Sequence, residues 1–245
     1  MYEGFMQNIN RIAASIALLF IVGLLACGAR ENGRPREYTM TGRTMGTTYQ
    51  IKVVSDKPLA EQDVQRQIDA RLEQINQSMS TFRKDSEISR FNALTETGKP
   101  FEVTADFLRV MLAGREMYRL TEGAWDGTVD PLVNLWGFGK SERLERVPAS
   151  DEIEEARRKV GFDQIEISVG GYLVKKATDV TVDLGSIAKG YGVDQVALLL
   201  HGLGFRNYLV EIGGEVYAAG RRADAKHWRV AINRPQPGGP LDADG

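Results

Sequence analysis

Val64, Ile68, Leu72, Ile75 and Met79 recur at steps of four and three through LAEQDVQRQIDARLEQINQSMS. That spacing lays one apolar stripe along a long amphipathic helix and predicts core packing for it. Before it, TTYQIKVVS (47–55) alternates apolar and polar residues and reads as a strand. STFRKDSEISRFN (80–92) reads as a loop with a short helix, and Thr104 is placed to cap a second long helix through FLRVMLAGREMYRL (107–120). A third helix starts at Ser150, Asp151 and Glu152 and ends near Gly161. Two alternating runs flank Gly170-Gly171 over residues 164–176, which predicts a type I′ hairpin. VTVDL (180–184) reads as a strand feeding the helix SIAKGYGVDQVALLLHG, NYLVEI-GG-EVYAAG (207–220) repeats strand–turn–strand, and HWRVAI (227–232) reads as one more strand. GAWDGTVDPLVNLWGFGK (123–140) shows no helical period and reads as a structured loop region. Hairpins and helices without strict β-α-β alternation argue an α+β fold, with largely antiparallel mixed sheets and packed helices.

Composition adds exclusions. At 42% hydrophobic, 26% charged and net charge −2, the 245 residues are ordinary globular material with no basic field for nucleic acid. Two histidines are too few for a His-rich metal centre, and one cysteine makes no intrachain disulfide. That cysteine, Cys27, ends the apolar run IAASIALLFIVGLLA (12–26) behind Arg11. The run suits a signal h-region and falls short of the ~20 residues of a usual spanning helix. Leu24-Leu25-Ala26 before Cys27, with Gly28 after it, resembles a bacterial lipobox, which implies cleavage and lipidation at Cys27. The alternative is a buried cysteine in an uncleaved anchor. The expected organisation is a signal peptide (1–26), a lipidated N terminus and polar tether (27–41), one domain (42–235) and a linker or truncated end (236–245).

Three common motifs fail. GFGKS (137–141) has Asn134 where a P-loop needs glycine. Gly190 and Gly192 suit a dinucleotide fingerprint, but Gln195 stands where its third glycine belongs. No G-x-S-x-G is present, and His201 and His227 read as structural or solvated.

The chemistry concentrates in TVDLGSIAKGYGVDQV (181–196). A helix opening near Ser186 would present free N–H groups to an anion, with Gly185 allowing close approach and Lys189 one turn in. Asp183 beside that anion would need either a nucleoside donor or an intervening cation such as Mg²⁺. The plain alternative is a capped helix with a surface lysine.

TMGTTY (44–49), MSTFRKDSEISRFN (79–92), GAWDGTVDPLVNLWGFG (123–139), DLGSIAKGYGVD (183–194) and YLVEIGGE (208–215) follow in this order behind the lipobox. Together they resemble the ApbE family of lipoprotein flavin transferases, over residues 42–235. The resemblance implies a Mg²⁺-dependent enzyme that moves FMN from FAD to a threonine hydroxyl of a partner protein, such as a membrane redox subunit, and releases AMP. It implies a protein anchored by lipid on the periplasmic face of the bacterial inner membrane. It implies FAD contacts for Met45, Phe82, Ala124, Trp125, Asp126, Asp183 and Lys189, with Lys189 suited to the diphosphate. It implies a magnesium contact through the main-chain carbonyl of Ser186. Phe82 replaces a commoner Tyr and Trp125 a commoner Phe. Arg83, Glu87, Asn134 and Glu211 are neighbours without a role, and no catalytic base is assigned.

The histidine segment and the A-D-A-x-x-T-type segment with the family's side-chain magnesium ligands are not found, so residues 1–245 alone are expected to bind FAD and Mg²⁺ weakly. Two rivals stay open: an FAD pyrophosphatase giving FMN and AMP, and a non-catalytic flavin-binding lipoprotein.

Overall fold

The computed structural model describes residues 34–139 and 146–231. Cys27, the signal run and residues 236–245 lie outside them. Among the described residues the strands form two antiparallel sheets. One has the order β1-β2-β6-β7, with β1 Arg36–Thr44, β2 Thr47–Ser55, β6 Tyr208–Ile212 and β7 Glu215–Ala219. The other has the order β3-β5-β4, with β3 Pro100–Glu102, β4 Ile165–Ser168 and β5 Tyr172–Lys175. Helices α1 (Glu61–Met79), α2 (Glu87–Asn92), α3 (Ala105–Leu120), α4 (Asp130–Leu135), α5 (Ser150–Arg157) and α6 (Gly185–Gly202) complete an α+β fold.

The predicted stripe of α1 is buried at all five positions. Its N-terminal half, Val64, Ile68 and Leu72, packs with Ile51, Val53 and Val210 of the larger sheet and with Val193, Val196 and Leu200 of α6. Its C-terminal half, Ile75 and Met79, packs into a second cluster with Phe91, Phe107, Met111, Phe162 and Leu173. Met45 touches both clusters. The seam between them, where α1 and α6 pass from one to the other, is where the site lies.

Several expected elements change. β1 starts at Arg36, so the last residues of the expected 27–41 tether are sheet. VTVDL is not a strand and pairs with none among the described residues. The Asn92 side chain takes both backbone groups of Val182, accepting its N–H (2.7 Å) and donating to its carbonyl (2.8 Å). The Asp183 N–H donates to Gly127 O (2.8 Å). An amide side chain and a loop carbonyl thus satisfy the groups a ladder would use. Ser168 pairs with Tyr172, so the β4–β5 loop is Val169-Gly170-Gly171, and only Gly171 has positive φ (91°). That is a three-residue loop rather than type I′. The two-residue loop Gly213-Gly214 (φ 57° and 99°) does have the type I′ signs. Residues 227–231 form no strand; Trp228 donates its indole N–H to Ala219 O (2.8 Å) instead. Finally, α4 stands inside the segment read as loop. Pro131 in its first turn and a 2.8 Å bond from Asn134 Nδ2 to Asp130 Oδ2 hold this short helix.

One half-buried ion pair ties the helices together. Arg71 of α1 donates to both oxygens of Asp106 on α3 (2.6 and 2.7 Å) and to Gln195 of α6 (2.8 Å). Tyr191 of α6 donates to Asp106 Oδ1 (2.6 Å). The Arg71 hydrogen bonds hold the Asp106 carboxyl below its usual value of 3.8. A depressed acid contributes stability that is full above its unfolded value and is lost as pH falls through the folded one. Asp106→Asn is therefore expected to cost about 2 kcal/mol near neutrality. The gap to wild type should narrow below about pH 4, as urea melts across pH 2.5 to 7 would record.

Candidate functional site

Two clefts meet at the first turn of α6. The first, about 430 Å³, is lined by Met45, Gly46, Ile75, Asn76, Met79 to Arg83, Asp183, Gly185, Ala188 and Lys189. The second, about 620 Å³, is lined by Gly123 to Asp126, Val129, Leu132, Val133, Arg157, Val160, Asp183 and Ser186. Asp183 borders both. All eight predicted residues within the described chain therefore lie around one helix start: Met45, Phe82, Asp183 and Lys189 on one side, Ala124, Trp125, Asp126, Asp183 and Ser186 on the other.

Local chemistry fixes each. Met45 and Gly46 are the central pair of the β1–β2 turn, at φ 49° and 73°. A methionine in the left-handed region costs about 1 kcal/mol, and its chain is held over Gly192, where an added Cβ would lie 2.9 Å from Met45 Cε. Phe82 follows the end of α1 and is 84% exposed, an aromatic face presented to the first cleft. Trp125 packs edge-on against Phe162 (5.8 Å, 63°) and donates its indole N–H to Ser186 Oγ (3.1 Å). Gly127 lets those rings approach, since a Cβ there would lie 2.9 Å from Phe162 Cε2.

The carboxylates differ. Asp126 is committed to the fold: Oδ1 accepts from Thr128 N (2.7 Å) and Oγ1 (2.6 Å), and Oδ2 accepts from Phe162 N (3.2 Å). Asp183 Oδ1 accepts from Gly185 N (2.7 Å) and so satisfies the first orphan amide of α6. The N–H groups of Ile187 and Ala188 turn back to Leu184 O (2.9 and 2.8 Å). That leaves the Ser186 amide as the first-turn donor open to an anion, fewer than the sequence suggested. Lys189 lines the first cleft and pairs with Glu215 Oε1 at 2.8 Å.

Magnesium would need several oxygen ligands in near-octahedral array. Among the described residues no three His, Cys, Asp or Glu gather. The Ser186 carbonyl lies in the first turn of α6 and would supply one oxygen ligand at most. These residues do not make a magnesium site by themselves.

Sequence reading missed Asn76, Ser80 and Thr81, which line the first cleft, and the α4 and α5 residues of the second. Arg83, left without a role, lines the first cleft and pairs with Glu73 (2.5 Å). Glu87 is structural: its carboxylate accepts from Thr104 N and Oγ1 and from Ser78 Oγ.

The ApbE family model matches residues 45–244. This chain belongs to the ApbE family. Among relatives of this ApbE chain, FAD:protein FMN transferase of Haemophilus influenzae is 41% identical over 229 residues, 91% of this chain and 65% of that protein. The Vibrio cholerae protein of the same name is 43% identical over 228 residues, 92% of this chain and 65% of its own. The chain thus spans 65% of the length of each of these two curated relatives. The solved flavin transferase ApbE of Vibrio cholerae superposes with TM-score 0.77 at 44% identity, covering 82% of this chain and 65% of that one. The apo flavinyl transferase ApbE of Pseudomonas stutzeri gives 0.75 at 39% identity, covering 81% and 66%.

Proposed function

We propose that this protein transfers FMN from FAD to a threonine hydroxyl of a partner protein and releases AMP. The observation that carries the reading is the pair of clefts joined at the start of α6, with Asp183, Ser186 and Lys189 at the junction. Their volumes suit the two halves of a dinucleotide. The names of the relatives, FAD:protein FMN transferase, support it.

In this reading the isoalloxazine lies against Met45 and Phe82, and the AMP half runs toward Ala124, Trp125 and Asp126. The diphosphate sits at the junction, held by the Ser186 amide and the Lys189 ammonium. The threonine oxygen attacks the phosphorus on the FMN side. A new O–P bond forms, the bond to the bridging oxygen breaks, AMP leaves with that oxygen, and the hydroxyl proton passes to a base. Lys189 and the helix amide neutralise charge that develops on the diphosphate, and the clefts align the two ends. The lipobox supports anchoring through Cys27 at the periplasmic face of an inner membrane, which brings membrane-bound acceptors within reach.

The test is mass spectrometry of a threonine-bearing acceptor incubated with the intact protein, FAD and Mg²⁺. The expected result is an FMN adduct on threonine with equimolar AMP. Free FMN with AMP and no adduct would favour a pyrophosphatase. FAD retained without AMP would favour a flavin carrier. Either would overturn transfer.

A further inference from the structure

Lys189 has a partner that nothing in the proposed chemistry uses. Glu215 Oε1 accepts from its ammonium at 2.8 Å. The other oxygen, Oε2, is buried without a hydrogen-bond partner. A shielded, unpaired carboxylate oxygen is costly, and its persistence needs a reason. Lys189 lines the first cleft, and Glu215 is not among the residues that line it.

The support of Glu215 is rigid. It is the first residue of β7, directly after the Gly213-Gly214 turn. That turn is fastened twice: Gly214 N donates to Glu211 Oε1 (2.6 Å) and Gly213 N donates to Thr48 O (3.1 Å). A Cβ at Gly213 would lie 2.7 Å from Thr47 Cγ2 and 3.3 Å from Lys189 Cδ. The β1–β2 strands, the β6–β7 turn and α6 therefore converge on the lysine stem. A lysine ordinarily samples many rotamers and loses that freedom on gripping a ligand.

We infer that Glu215 is a positioning residue for Lys189, aiming its ammonium so that it bridges the carboxylate and the diphosphate of FAD. This rests on the proposed binding of FAD in the two clefts. Glu215 acts through the ammonium it holds, so its effect requires both Lys189 and a phosphate-bearing ligand.

The experiment measures FAD and riboflavin binding to the intact protein by flavin fluorescence, with a melting curve for each variant. Glu215→Gln is expected to weaken FAD binding about tenfold, the loss of one charge-assisted contact, and to leave riboflavin within about twofold. In a Lys189→Ala background the same change should cost nothing further and should recover part of the lost affinity, because the bare carboxylate is gone. Glu215→Asp keeps the charge on a shorter arm and should fall between wild type and Glu215→Gln; it carries the test if Glu215→Gln does not fold. The inference is overturned if Glu215→Gln leaves FAD affinity unchanged, weakens riboflavin equally, or adds fully to Lys189→Ala. Each of those results leaves FAD binding by the wild type intact. Absence of FAD binding by the wild type would instead remove the functional reading, and this inference with it.

Discussion

Lys189→Ala is expected to lower FAD affinity about 100-fold, the upper end for one charge-assisted contact. Two effects combine. The ammonium that faces the diphosphate is lost, and Glu215 is left as an unpaired carboxylate with its Oε2 already unpartnered. A bare carboxylate where the ammonium stood repels the anion that the lysine attracted. The fold should survive, because Lys189 and Glu215 are each about a third exposed and such pairs contribute little to stability. Calorimetric titration with FAD, beside a melting curve, separates the two. Unchanged affinity would remove Lys189 from the diphosphate site.

The largest stability effect is expected at Lys175, which lines neither of the two clefts. It is 1% exposed, and its ammonium donates to the carbonyls of Asn92 (3.0 Å), Leu94 (3.1 Å) and Thr178 (3.3 Å). Burial pushes its pKa below the usual lysine value. Lys175→Met fills similar space but strands three carbonyls, which should cost about 3 kcal/mol. For a chain of this size the melting temperature should drop by roughly 6 to 12 °C. The loss should reach the site, because Asn92 clamps Val182, the neighbour of Asp183. Weaker FAD binding by the folded variant would show that coupling. A melting temperature within about 2 °C of wild type would contradict the assignment.

What was legible in the sequence followed local periodicity. The α1 stripe needs only its own spacing, and Thr104 caps α3 as expected, accepting from Phe107 N (3.4 Å). β1 escaped notice because its inward face is Tyr38, Met40, Gly42 and Thr44, and Gly42 contributes no side chain. The ring of Tyr49 on β2 covers it instead, 2.6 Å from where a Cβ would be. VTVDL has the composition of a strand, but its partners are the Asn92 amide and the Gly127 carbonyl, distant in sequence. The candidate site was more legible than its wiring. Motif order brought Met45, Phe82, Trp125, Asp183 and Lys189 to one helix start. Nothing in the pattern showed that Asp126 is spent on Thr128 and Phe162, or that Glu215 holds Lys189.

The most direct measurement is a crystal structure of the intact protein with FAD. The diphosphate is predicted within hydrogen-bond distance of the Ser186 amide and Lys189 Nζ, with the isoalloxazine against Met45 and Phe82. FAD seated along the opposite face of α6, between Arg109, His201 and Tyr217, would contradict the account.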